Sequence, residues 1–169
     1  QVAGGARNPY EAALALQDYF RESGGFGYST GVPPGQSGNA FDDFLETRVG
    51  YCEQFAGTFA AMARSLGIPA RVAAGYTWGE ASPTTPDRYQ VLGRNAHAWP
   101  EVYLGQYGWV PFEPTPGRGN PDAESYTSVP AAQQNAVGAV DPSTTTTSVP
   151  AASTTSTTED TAPAATTPD

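Results

Sequence analysis

The sequence predicts an α+β domain: helices first, with one buried helix carrying the chemistry, then an antiparallel sheet, then a disordered tail. Three observations carry that prediction. Apolar residues recur at helical spacing as far as Leu66, and Gly67-Ile68-Pro69 supplies a complete helix stop. From Ala70 on, short runs rich in Val, Tyr and Trp alternate with Gly/Pro turns, the pattern of strands. From Asp141 on, about half of the residues are Ser or Thr, and the last aromatic is Tyr126. Such a stretch has too little apolar surface to offset the entropy of ordering it. The expected division is a domain over residues 1–119 and a Ser/Thr/Pro/Ala-rich linker over 120–169.

The elements follow in order. Asn8-Pro9-Tyr10-Glu11 places an N-cap, a proline at the first helical position and a glutamate three residues after the cap, so a helix is expected over Pro9 to Glu22. Ser23 to Gly38 is rich in Gly, Pro and Ser and reads as a loop, its Phe26 and Tyr28 being core plugs rather than substrate contacts. Asn39-Ala40-Phe41-Asp42-Asp43 starts a short capped helix. Cys52 to Leu66 follows, with Phe55, Phe59, Met62, Ala63 and Leu66 at three- and four-residue spacing and small residues between them, a helix expected at the centre of the core. Strands are read over Ala70 to Trp78, Tyr89 to Gly93, Ala96 to Leu104 and Gly108 to Thr115, with a loop free of strand signals from Gly79 to Asp87.

Charge narrows the partners. The 169 residues carry a formal charge of −9, with arginine as the only strong base. Through Gly119 eight arginines face eleven acids, whereas 120–169 holds six acids and no base. Capture of phosphate backbones or anionic lipid needs clustered cations, so a nucleic-acid or lipid-surface protein is excluded. No stretch is apolar enough to span a bilayer and none resembles a signal peptide. With no initiator Met and a spacer at its end, the chain reads as a piece of a longer protein, and the Ser/Thr/Pro tract fits an extracellular stalk.

One cysteine and one histidine stand out against this background. Cys52 begins a helix, where the dipole and free N–H groups favour thiolate over thiol. His97 lies downstream in Asn95-Ala96-His97-Ala98-Trp99. Either residue alone is more often structural, but together with a carboxylate they form a nucleophile set. The acids within reach are Glu113 and Glu101. Closing the last hairpin with Gly105 to Tyr107 sets Leu104 opposite Gly108 and Trp99 opposite Glu113, which makes His97 and Glu113 diagonal neighbours on one face. Glu101, about 6.6 Å along the same strand, is second choice. Pro100 cannot donate to a ladder, so the strand should lack a partner on that side or bulge there. Trp78, Trp99 and Trp109 are read as filling the sheet's core rather than lining an acyl groove. Too few ligand residues are spaced for a metal, and no cofactor is expected.

The ordered set Phe41-Asp42-Asp43-Phe44-Leu45, Gly50-Tyr51-Cys52, Gly67-Ile68-Pro69-Ala70-Arg71-Val72, Asn95-Ala96-His97-Ala98-Trp99, Glu101-Val102-Tyr103 and Gly108-Trp109-Val110-Pro111-Phe112-Glu113-Pro114 resembles the bacterial transglutaminase-like domain, from about Pro9 to Gly117. The resemblance implies a papain-like core with Cys52 as nucleophile, His97 as base and acid, and Glu113 at the position of the orienting acid, where Asp is commoner. It implies acyl transfer on carboxamides through a thioester, from a protein or peptide amide to an amine, or to water in an amidase or peptidase. A non-catalytic envelope scaffold is the remaining alternative. It also implies a monomeric domain on the extracytoplasmic face of the cell membrane, attached through flanking segments outside this chain.

Overall fold

The structure, a computed structural model, describes residues 2–32 and 39–133. The spacer sequence from residue 134 on lies outside the described residues. Helix α1 (Pro9–Asp18) starts as its sequence dictates, with Asn8 Oδ1 accepting the N–H of Glu11 at 2.9 Å. Replacing Asn8 with Ala should cost about 1 kcal/mol in a urea melt, because that N–H loses its acceptor. The helix does not end as a plain α-helix. Tyr19–Ser23 widen into a π turn closed by Gly24. Strand β1 (Gly27–Tyr28) then pairs in parallel with β2 (Val49–Gly50), on the far side of α2 (Ala40–Thr47).

Helix α3 (Cys52–Ser65) is the centre of the molecule, as its nearly all-round apolar surface requires. Phe55, Ala56 and Phe59 are fully buried. Phe20, Phe26, Phe44 and Phe55 form one cluster with ring centroids 4.9–6.2 Å apart, so Phe26 is the core plug expected of it. At the other end Gly67 takes φ +77 and Ile68 N–H returns to the carbonyl of Ala63 at 3.0 Å, the glycine-terminated stop read from sequence.

The sheet that α3 packs on is antiparallel, in the order β3 (Ala70–Tyr76), β6 (Ala96–Tyr103), β7 (Trp109–Pro111). Glu101 faces Pro111 and Tyr103 faces Trp109, with Gly105–Tyr107 closing the hairpin, so the expected register holds. Pro100 sits on the central strand, and the β6–β7 pairing stops at Glu101, the residue that follows it. Its carbonyl still accepts from Phe112 N–H at 2.9 Å, but with no N–H to return it ends the ladder. One loop differs from expectation: within Gly79 to Asp87, β4 (Glu80–Ala81) pairs with β5 (Tyr89–Gln90). Two residues are too short for period-two alternation to show.

The boundary at Gly119 needs correction. Residues 120–133, assigned to the linker, pack on the domain through a short helix α4 (Glu124–Thr127) and a strand β9 (Ala132–Gln133) paired with β8 (Arg118–Gly119). Ala123, Thr127 and Val129 are buried, and the Tyr126 hydroxyl donates to the carbonyl of Pro111 at 3.0 Å. The approach is close at Gly119, where a Cβ would lie 1.9 Å from the carbonyl oxygen of Pro130.

Candidate active site

Cys52 is the first residue of α3, after an extended Tyr51. Tyr51 N–H is held by Gln54 Oε1 at 2.8 Å. Gly50 permits this geometry: a Cβ there would come within 2.7 Å of both Gln54 Oε1 and the ring of Phe44. The thiol is half-buried and stands over β6. Burial alone pushes its pKa up, but the adjacent His97 imidazole, the N–H of Ala98, and the charges of His97 and Arg118 together carry it below the ordinary thiol value. Glu53 is exposed, which keeps its charge in water and away from the sulfur.

His97 is buried on β6. Its Nε2 lies 2.6 Å from Glu113 Oε2, and Trp99 stacks beside the ring at 6.0 Å between centroids. Nδ1 is buried without a closed hydrogen bond. Since Nε2 is committed to Glu113, Nδ1 is the ring nitrogen left for the thiol, and such contacts tighten only when substrate is bound. Burial works against a charged imidazole here. The nearby Cys52 sulfur and the hydrogen bond to Glu113, with the negative charge of each, overcome it, raising the pKa to about 9.

Glu113 follows β7 on a buried segment. Its Oε1 accepts Thr115 N–H at 3.0 Å, leaving Oε2 for the imidazole. Glu101 points elsewhere and makes a 2.6 Å salt bridge with Arg71, whose guanidinium lies 4.3 Å over Trp109. The structure therefore brings Cys52, His97 and Glu113 together and leaves Glu101 out.

The tryptophans differ from expectation. Trp78 is 37% exposed and Trp109 39% exposed, so neither fills the core. Trp78 and Trp99 line a cavity of about 320 Å³ that reaches His97 and Glu113, whereas Trp109 serves a separate aromatic groove with Tyr103 and Tyr107. The indole is wide enough to span from sheet to surface, and exposure at one end is its usual compromise.

Three further residues act on the site and were not read from sequence. Arg118 is buried, donates from Nη2 to the carbonyl of Arg94 at 3.1 Å, and places its charge near the thiol. Gln17 accepts the N–H of Glu113 through Oε1 at 3.1 Å, and Arg21 donates to the carbonyl of Glu113 at 3.1 Å. Gln17 had a legible signal. It is a polar residue on the same helical face as Ala13, Leu16 and Phe20, where an amide has to be buried.

Comparisons with known proteins bear on the family and the fold. A family model of the transglutaminase-like superfamily matches residues 1–114. A protein of Bacillus subtilis (strain 168) named only as the uncharacterized YebA is 42% identical over 120 residues, covering 68% of this chain and 16% of that protein. A protein-glutamine gamma-glutamyltransferase of Pseudomonas aeruginosa is 42% identical over 105 residues, covering 61% of this chain and 15% of that protein. This chain thus spans about a sixth of the length of these curated relatives. The solved periplasmic domain of TgpA from Pseudomonas aeruginosa superposes with a TM-score of 0.57 at 38% identity, over 63% of this chain and 36% of that one. A protein from Cytophaga hutchinsonii provisionally named a cysteine protease superposes with a TM-score of 0.50 at 29% identity, over 67% of this chain and 34% of that one. By its matched residues, its α+β fold and these relatives, the chain belongs to the transglutaminase-like superfamily.

Proposed function

We propose that this domain is a cysteine acyltransferase acting on carboxamides, of the protein-glutamine gamma-glutamyltransferase type. The observation that carries the reading is the pairing itself: a thiol at a helix start with its pKa lowered, beside a histidine whose far nitrogen is held by Glu113 at 2.6 Å. The Cys52 thiolate adds to the amide carbon. The backbone N–H of Cys52 is a donor for the oxyanion that develops. Collapse of that intermediate breaks the C–N bond, and His97 gives its proton to the departing nitrogen, so ammonia leaves and a thioester remains. An amine then attacks the thioester, His97 takes its proton, and the thiolate departs with the new amide formed. Glu113 holds the imidazole in one tautomer and supports its charge throughout.

Water in place of the amine gives a peptidase or amidase, a reading favoured by the Cytophaga hutchinsonii neighbour. Both outcomes share the thioester, and exclusion of water from the site decides between them. The substrate class is a protein or peptide amide. Similarity to a domain described as periplasmic supports an extracytoplasmic placement, with any membrane attachment made outside this chain.

The test is intact-mass analysis of the chain after incubation with a glutaminyl peptide, with and without a primary amine. The expected product is an adduct on Cys52 weighing one ammonia less than the peptide, absent in Cys52→Ser and consumed faster when amine is added. Failure to trap any adduct would overturn the enzyme reading. An adduct that decays at one rate with or without amine would make the domain a hydrolase.

A further inference from the structure

The carboxylate that holds His97 is not carried by a strand. β7 ends at Pro111, and Glu113 lies in Phe112-Glu113-Pro114-Thr115-Pro116, where two prolines lack the N–H that a ladder would use. Phe112 N–H still reaches β6 and Thr115 N–H the Glu113 carboxylate, but the N–H of Glu113 and the carbonyls of Glu113 and Thr115 are satisfied from α1 and its π turn. Gln17, fully buried, accepts Glu113 N–H at 3.1 Å and donates from Nε2 to the carbonyl of Thr127 at 3.2 Å. Arg21 Nη1 donates to the carbonyls of Glu113 at 3.1 Å, Thr115 at 2.7 Å and Arg118 at 2.9 Å. One guanidinium nitrogen thus gathers three carbonyls, and its side chain leaves from a widened turn of the kind that marks functional sites.

We infer that Gln17 and Arg21 are positioning residues that fix how far the Glu113 backbone stands from His97, at a distance suited to glutamate and to no shorter acid. The inference rests on the Cys52, His97 and Glu113 reading proposed above. A glutamate carboxylate reaches Nε2 at 2.6 Å from this backbone. Aspartate, one methylene shorter, would draw the oxygen back by more than about 1 Å, outside hydrogen-bond range. In a compliant loop the chain would advance to close that gap. Here three bonds from buried or partly buried side chains hold it, and water cannot readily replace them. The cost of a shorter acid should therefore depend on whether the clamp is intact.

The experiment is the rate of Cys52 alkylation against pH on the full chain, read by intact mass, in wild type, Glu113→Asp, Arg21→Lys and the double variant. Glu113→Asp should slow labelling at pH 6 about tenfold, and Arg21→Lys about threefold, as expected when a charge-assisted bond is lost or misaligned. The double variant should be no slower than Glu113→Asp alone, because a loosened segment can move toward the imidazole. Effects that multiply to about thirtyfold, the additive result, would overturn the inference. Gln17→Met, which removes the acceptor for Glu113 N–H at similar volume, repeats the cycle if Arg21→Lys does not fold by circular dichroism. A purely structural role would lower melting temperature in every background without this sparing in the pH profile. His97→Ala is measured alongside. If it labels like wild type, the underlying reading fails; if it labels slowly while the cycle is additive, only the clamp fails.

Discussion

At pH 6, Cys52 in the His97→Ala chain should be alkylated more slowly than in wild type, by up to about 10²-fold, the bound set by a thiol of ordinary pKa near 8.5 being only about one part in 300 thiolate at that pH. The structure makes His97 the main counterweight to burial. Burial opposes the thiolate, and what overcomes it is first the adjacent His97 imidazole, then the Ala98 N–H, then the charges of His97 and Arg118. Removing the imidazole takes away two of those contributions and leaves burial in place. The residual rate then reports the Ala98 N–H and Arg118 alone. Equal rates in the two chains across pH 5 to 9 would show that the imidazole and the sulfur do not form an ion pair.

The second large effect is on stability. Native His97 titrates near 9, above its unfolded value of about 6.5, so its contribution is fully present below pH 6.5 and is lost as pH rises through 9. Cys52 has a lowered native pKa, so its contribution is complete above the unfolded value of about 8.5 and is lost as pH falls through the native one. Above both the lowered native pKa of Cys52 and the unfolded histidine value of about 6.5, and up to the unfolded thiol value of about 8.5, the native pair and the unfolded chain each hold one proton, and the two slopes cancel. Wild type should therefore be level in that window by urea denaturation. In Cys52→Ala the histidine keeps only Glu113 to oppose burial, so its elevation shrinks but is no longer cancelled, and stability should fall with rising pH at less than the limiting slope of about 1.4 kcal/mol per unit. Parallel curves for the two chains would exclude the shared proton.

Much of the site was readable because its chemistry rests on residues that occur once. Cys52 and His97 have no competitors of their kind, and the choice between Glu113 and Glu101 followed from counting a three-residue hairpin closure, which the structure reproduces. Helix α3 and its glycine stop were legible because local signals at both ends agreed with the apolar pattern between them. What escaped is tertiary. No spacing rule connects Arg21 to carbonyls more than ninety positions away. The size of the tryptophans suggests burial in the core, although an indole also suits a cavity wall. Residues 120–133 passed for linker because Ala123, Val129 and one tyrosine are too sparse to show a period, and their order comes from what they dock against.

That docked stretch has a mechanical consequence. The superfamily match ends at residue 114, yet Arg118, four positions later, acts on the thiol and lies on the strand that β9 pairs with. Gln133 closes the assembly, accepting Gly79 N–H at 2.7 Å and returning a bond to the Gly79 carbonyl at 2.7 Å, while also receiving Asn95 Nδ2 at 3.2 Å. Asn95 stands two residues before His97. A pull on the chain beyond Gln133 would thus load the β8–β9 pair before the phenylalanine core, and the first parts to shift would be the neighbours of Arg118 and His97. The anchor point of the tail and the tuning of the sulfur share one small piece of sheet.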